Sequence, residues 1–200
     1  MKSSLSSRLL ALTAAFVALP TLAQAHPGLP GHVHSGFAPG VLHPISGADH
    51  ILAMVAVGLW AAQLGRRALW AVPASFVSVM VLGGALGMAG MHVPFVEQGI
   101  LASVFILGLL VMTAARLPLA VCMAIVSAFA FFHGLAHGAE MPANAAGVTY
   151  GAGFALSTAL LHACGIAAGL GLGQMAKSSW LRLAGGAIVA GGCAMAFGLI

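Results

Sequence analysis

Apolar residues run almost without interruption from residue 46 to the end of the chain, and the few polar breaks divide them into six stretches. These lie near 46–64, 69–90, 97–115, 118–138, 147–173 and 180–199. At about 1.5 Å per residue each is long enough, as a helix, to cross about 30 Å of hydrocarbon. The pattern before residue 46 differs. Lys2 and Arg8 precede a run of about a dozen apolar residues, LLALTAAFVALP, and Ala23-Gln24-Ala25 follows. A short basic stretch, a short apolar run and a small-x-small site form the pattern of a signal peptide removed after residue 25. The next segment, HPGLPGHVHSGFAPGVLHP, is rich in Pro, Gly and His and has no period, so 26–45 is expected to be an extended external arm. The expected architecture is therefore all-α: a cleaved signal over 1–25, a His-rich arm over 26–45, and six transmembrane helices over 46–200.

Composition supports the membrane reading. Of 200 residues, 61% are hydrophobic and 5% charged, and the mean hydropathy is +1.08. About a quarter of a soluble domain is charged, so this chain cannot cover a water-facing surface. Charge then sets the orientation. With residue 26 outside, connections after odd-numbered spans are cytoplasmic. Arg66, Arg67, Arg116, Lys177 and Arg182 all fall in or beside those connections, as the positive-inside rule requires. Both mature ends are thereby predicted on the periplasmic side of an inner membrane. A net charge of +4 gives no reason to expect a nucleic-acid partner. Cys122, Cys164 and Cys193 are far apart in apolar runs and read as small hydrophobes. The many glycines of the spans read as sites of close helix approach.

Against that background the ionisable residues stand out. The chain has three acidic residues and nine histidines. His43, Asp49 and His50 form H-x5-D-H at the outer end of the first span. His133, His137 and Glu140 form H-x3-H-x2-E near the outer end of the fourth, where residues three and four apart share a helix face. His162 lies deep in the fifth span. His92 and Glu97 fall in an outer connection and read as solvated. His26, His32 and His34 lie on the arm, where a free amine at His26 would add a second chelating nitrogen. Ionisable groups in lipid cost several kcal/mol and mark pathways or paired sites. Imidazole with carboxylate, without thiolate, is a nitrogen–oxygen donor set that suits nickel, cobalt or zinc. The residues leave other roles open: hydrogen bonding between helices for His133, His137 and His162, and helix capping for Asp49.

The segments His43-Pro44-Ile45-Ser46-Gly47-Ala48-Asp49-His50 and Phe132-His133-Gly134-Leu135-Ala136-His137-Gly138-Ala139-Glu140 resemble the two signature motifs of the HupE/UreJ family. Leu161-His162-Ala163-Cys164-Gly165 resembles the His-Gly segment of that family's fifth span. The resemblance implies a secondary transporter of nickel, and of cobalt in some members, feeding hydrogenase or urease maturation. It implies no enzymatic activity and no prosthetic group. It marks His43, Asp49, His50, His133, His137 and Glu140 as functional positions, to which the residues themselves add His26 and His162 as candidate metal ligands. Two other classes stay open. One is an intramembrane metal-dependent hydrolase with His133 and His137 on the metal and Glu140 as base. The other is a metal receptor on the periplasmic side without transport.

Overall fold

The computed structural model describes residues 36–141, 143–175 and 179–200. The proposed signal peptide and His26, His32 and His34 lie outside them. The described residues form seven helices and no strands: α1 Phe37–Ser46, α2 Ala48–Leu64, α3 Ala68–Met88, α4 Val96–Thr113, α5 Leu119–Glu140, α6 Ala145–Met175 and α7 Ser179–Ala196. Five of them, α3 to α7, are long and apolar enough to cross a membrane. α1 and α2 together make a further candidate, bent by 82° at Gly47. With 17 residues, α2 alone is about 26 Å long.

The first difference from the sequence reading lies here. Residues 37–45, expected to be extended, are helical, and α1 packs across α6. Pro39 and Pro44 hid this helix: Pro39 falls in the first turn, where no donor is needed, and Pro44 removes one backbone donor. A ten-residue helix tolerates that loss when it is held from outside. What holds α1 is a glycine crossing. A Cβ on Gly40 would lie on the Tyr150 carbonyl, and one on Gly153 would meet the backbone of Phe37 to Val41.

Glycine also sets the other main pairings. Gly83, Gly87, Gly134 and Gly138 bring the α3 and α5 backbones together, in register, along the same direction. Gly58 and Gly165 do the same for α2 and α6. In lipid, where apolar side chains gain nothing by leaving hydrocarbon for protein, such close van der Waals contact holds helices together. The core around which they gather includes Met54, Val57, Trp60, Phe76, Leu107 and Phe154.

The end of α4 shows how backbone polarity is met without water. The last carbonyls of a helix have no internal partner. Trp60 Nε1 donates to the Ala115 carbonyl at 2.9 Å, Gln63 Nε2 to Val111 at 2.9 Å and Arg182 Nε to Met112 at 3.0 Å. These donors come from α2 and α7, so the same bonds fix helix positions. They sit at the end of the bundle that carries Arg66, Arg67 and Arg116 in its connections. All three carboxylates, Asp49, Glu97 and Glu140, sit at the opposite end.

Candidate metal site

Two turns of sequence build the site. Gly47 separates α1 from α2, so the chain bends sharply between His43 and Asp49-His50 and turns all three inward. Gly47 is needed for room. A Cβ there would stand 2.6 Å from Asp49 Oδ1 and 2.8 Å from His50 Nδ1. On α5, two patterns interleave. His133 and His137 occupy one face, while Gly134 and Gly138, one residue on, lie flat against the α3 backbone at Met80 and Gly84. The glycines thus position the histidines.

Three imidazoles converge from three separate chain segments. His43, His50 and His137 each offer a ring nitrogen, and these atoms all lie within 4.8 Å of one another. Ring centroids are 4.6 Å apart for His43 and His137, 4.6 Å for His50 and His137, and 5.5 Å for His43 and His50. His50 Nε2 and His137 Nε2 face each other at 2.7 Å. Phe154 of α6 closes the inner side, its ring 5.0–5.7 Å from all three.

The carboxylates stand behind the imidazoles. Asp49 Oδ1 accepts from His50 Nδ1 at 2.7 Å, and both side chains are buried. That bond puts the proton on Nδ1 and leaves the Nε2 lone pair facing the cluster. Glu140 Oε2 lies 3.7 Å from His137 Nδ1, longer than a hydrogen bond, on a half-exposed side chain. The sequence reading counted Asp49 and Glu140 beside the histidines as ligands. In the structure Asp49 is hydrogen-bonded to His50 and Glu140 only approaches His137; a carboxylate bonded to a ligand imidazole fixes its ring orientation and tautomer and raises its basicity.

His133 lies about 6 Å deeper, one turn below His137. Its ring is 5.2 Å from that of His50 and fully buried. Ser103 Oγ donates to the Ile100 carbonyl at 2.6 Å, so its 3.0 Å contact with His133 is accepted from Nε2–H. His133 Nδ1 then carries a lone pair and no hydrogen-bond partner. Beside His133 and His137 is an apolar cavity of about 330 Å³, walled by Met80, Gly84, Met88, Val148 and Phe154. His162 is deeper still and does not join the three-histidine group. His92 is exposed.

Several participants gave no sequence signal. Ser103 and Phe154 are ordinary span residues whose roles appear only once helices pack. Glu97, read as a loop residue, opens α4 and lies within electrostatic reach of Asp49, Glu140 and His50. A signal for it did exist, since it is one of only three acids in the chain.

The family described as HupE / UreJ protein matches residues 14–195. The chain is 45% identical over 188 residues to Protein HupE of Rhizobium leguminosarum bv. viciae, covering 93% of this chain and 96% of that protein. No solved structure matches the chain.

Proposed function

The chain belongs to the HupE/UreJ family, and from that premise we propose that it is a secondary transporter importing a divalent transition metal ion, nickel or cobalt, across the inner membrane. The observation that carries this reading is the meeting of His43, His50 and His137 in one partly buried cluster, with Asp49 and Glu140 behind two of them.

In the site as it stands, one nitrogen of the facing His50–His137 pair must donate to the other. With both rings neutral, His50 Nδ1 gives its proton to Asp49, so the donor is His137 Nε2–H. That leaves the His137 Nδ1 lone pair towards the Glu140 carboxylate, an unfavourable pairing. A divalent cation between the rings reverses it. His137 moves its proton to Nδ1, where Glu140 accepts it, and both Nε2 lone pairs bind the ion. Ligand nitrogens about 2.0–2.1 Å from a metal lie about 2.9 Å apart at a right angle and about 3.3 Å apart at the tetrahedral angle, so the facing pair need open by about 0.2–0.6 Å from 2.7 Å. The adjoining cavity gives that room.

The three carboxylates cluster at the mouth and lower the energy of an approaching cation. The basic residues lie at the other end, consistent with a cytoplasmic face there. With six spans, counting the bent α1–α2 unit as the first, both mature ends are periplasmic and the arm with His26 gathers ions outside. The sequence holds no phosphate-binding loop for ATP. The membrane potential favours an inward dication by about 4.6 kcal/mol per 100 mV, twice the single-charge value. The ion delivered inside serves hydrogenase or urease maturation.

Uptake of radioactive nickel by cells expressing the chain tests the reading. Uptake is expected to exceed that of cells lacking it and to fall to background in His50→Ala and His137→Ala variants present in the membrane at normal level. Undiminished uptake by both variants rules the site out.

A further inference from the structure

Below the three-histidine cluster, α6 carries a second set of polar groups. Phe154, Thr158 and His162 recur every four residues and so share one face of the helix. Phe154 touches the cluster, so His162 lies about 12 Å deeper. α2 gives the same depth independently: the carbonyl of His162 abuts Gly58, eight residues beyond His50. The site is thus mid-span on two helices.

His162 is 1% exposed, and neither ring nitrogen has a hydrogen-bond partner among the described residues. A neutral imidazole must carry one N–H and one lone pair, so both a donor and an acceptor are desolvated without return. A leucine would fill the space without that penalty. The Ser157 hydroxyl, five residues before His162 and so on a different face of α6, is fully buried and also without a partner among the described residues. Thr158 Oγ1, fully buried too, reaches only the sulfur of Met80, at 3.7 Å. His133, with its free Nδ1, is within electrostatic reach of His162, and the Phe76 ring touches both, at 5.9 Å and 5.1 Å between centroids. Hydrogen bonding between helices, the structural role open to His162 from sequence, is thus not what it does.

We propose that His162, with the Thr158 hydroxyl on the same face, forms an inner station that receives the partly dehydrated cation after His133 and passes it towards the cytoplasm. This rests on the transport reading and extends it. The two stations differ in chemistry. The outer one offers three imidazoles backed by carboxylates. The inner one offers one imidazole and a neutral oxygen, so it holds a dication less firmly. An ion that reaches it leaves readily, and efficient conduction requires a binding sequence of that kind.

His162→Leu separates this role from a structural one. The purified variant is expected to be at least as heat-stable as the parent chain and to bind nickel at the outer cluster with unchanged affinity, while cellular nickel uptake falls at least about tenfold. Thr158→Val, which removes only the hydroxyl at nearly constant volume, is expected to reduce uptake severalfold with stability and outer-cluster binding unchanged. Parental uptake in His162→Leu overturns the proposal. So does a His162→Leu protein that is less stable than the parent, because His162 then supports the fold. Absence of nickel uptake by the parent chain itself is a different result: it removes the transport reading, not the assignment of His162 alone.

Discussion

Replacing Asp49 by Asn changes one charge and almost no volume, and its consequence follows from the 2.7 Å bond to His50. The carboxylate can only accept at this site, so it fixes the proton on Nδ1 and the lone pair on Nε2. An amide can also donate. If its NH2 group turns to Nδ1, the ring proton moves to Nε2, the atom that faces His137. Metal must then displace a proton and work against the reversed tautomer. Loss of a charge-assisted hydrogen bond is worth about 1.5–3 kcal/mol. Changes to such carboxylate partners weaken metal binding about 10–100-fold, which at about 1.4 kcal/mol per decade spans the same energy. The expected result for Asp49→Asn is a nickel Kd raised 10–100-fold by equilibrium dialysis of purified protein. Uptake should fail at low external nickel and recover as the concentration rises. Unchanged affinity refutes the orienting role. Complete loss of binding in a folded protein refutes it from the other side, since Asp49 would then be a ligand itself.

Gly47→Ala drives a methyl group into the Asp49–His50 pair, whose nearest atoms would stand at 2.6 and 2.8 Å. Nickel affinity should drop at least about tenfold while far-ultraviolet circular dichroism stays unchanged; parental affinity would show that the bend can yield. Gly138→Ala puts a methyl group against the Gly84 backbone, which no rotamer relieves. It should cost about 1–3 kcal/mol of stability, typical for overpacking, read as a lower unfolding temperature; an unchanged temperature contradicts the glycine-contact account of α3 and α5. Nickel binding should weaken as the pH falls, because a protonated ring has no lone pair and metal binding releases protons. Binding by dialysis that is flat between pH 8 and pH 5 would point away from imidazole ligands.

Much of this was legible beforehand, for identifiable reasons. Apolar runs longer than a soluble core can use mark their own helices, and α3 to α7 match the expected spans within several residues at either end. His43, His50 and His137 were legible because ionisable groups are costly in lipid and stand alone there. The helix at 37–46 was not, since Pro39, Pro44 and two flanking glycines imitate a loop, and its stability comes from Gly40 and Gly153 meeting across sequence-distant helices. The rank of the carboxylates was also hidden. Asp49 and His50 are adjacent in sequence, and spacing alone cannot say that one holds the other rather than the metal. Ser103 and Thr158 carry no motif, and only packing turns the one hydroxyl towards His133 and leaves the other buried near His162.

The most direct test of the account is X-ray absorption at the nickel edge on purified, loaded protein. The account predicts a nitrogen and oxygen shell with the outer-shell scattering of three imidazoles, falling by one in His43→Ala and in His137→Ala. A shell containing sulfur, or imidazole scattering that neither substitution changes, would contradict it.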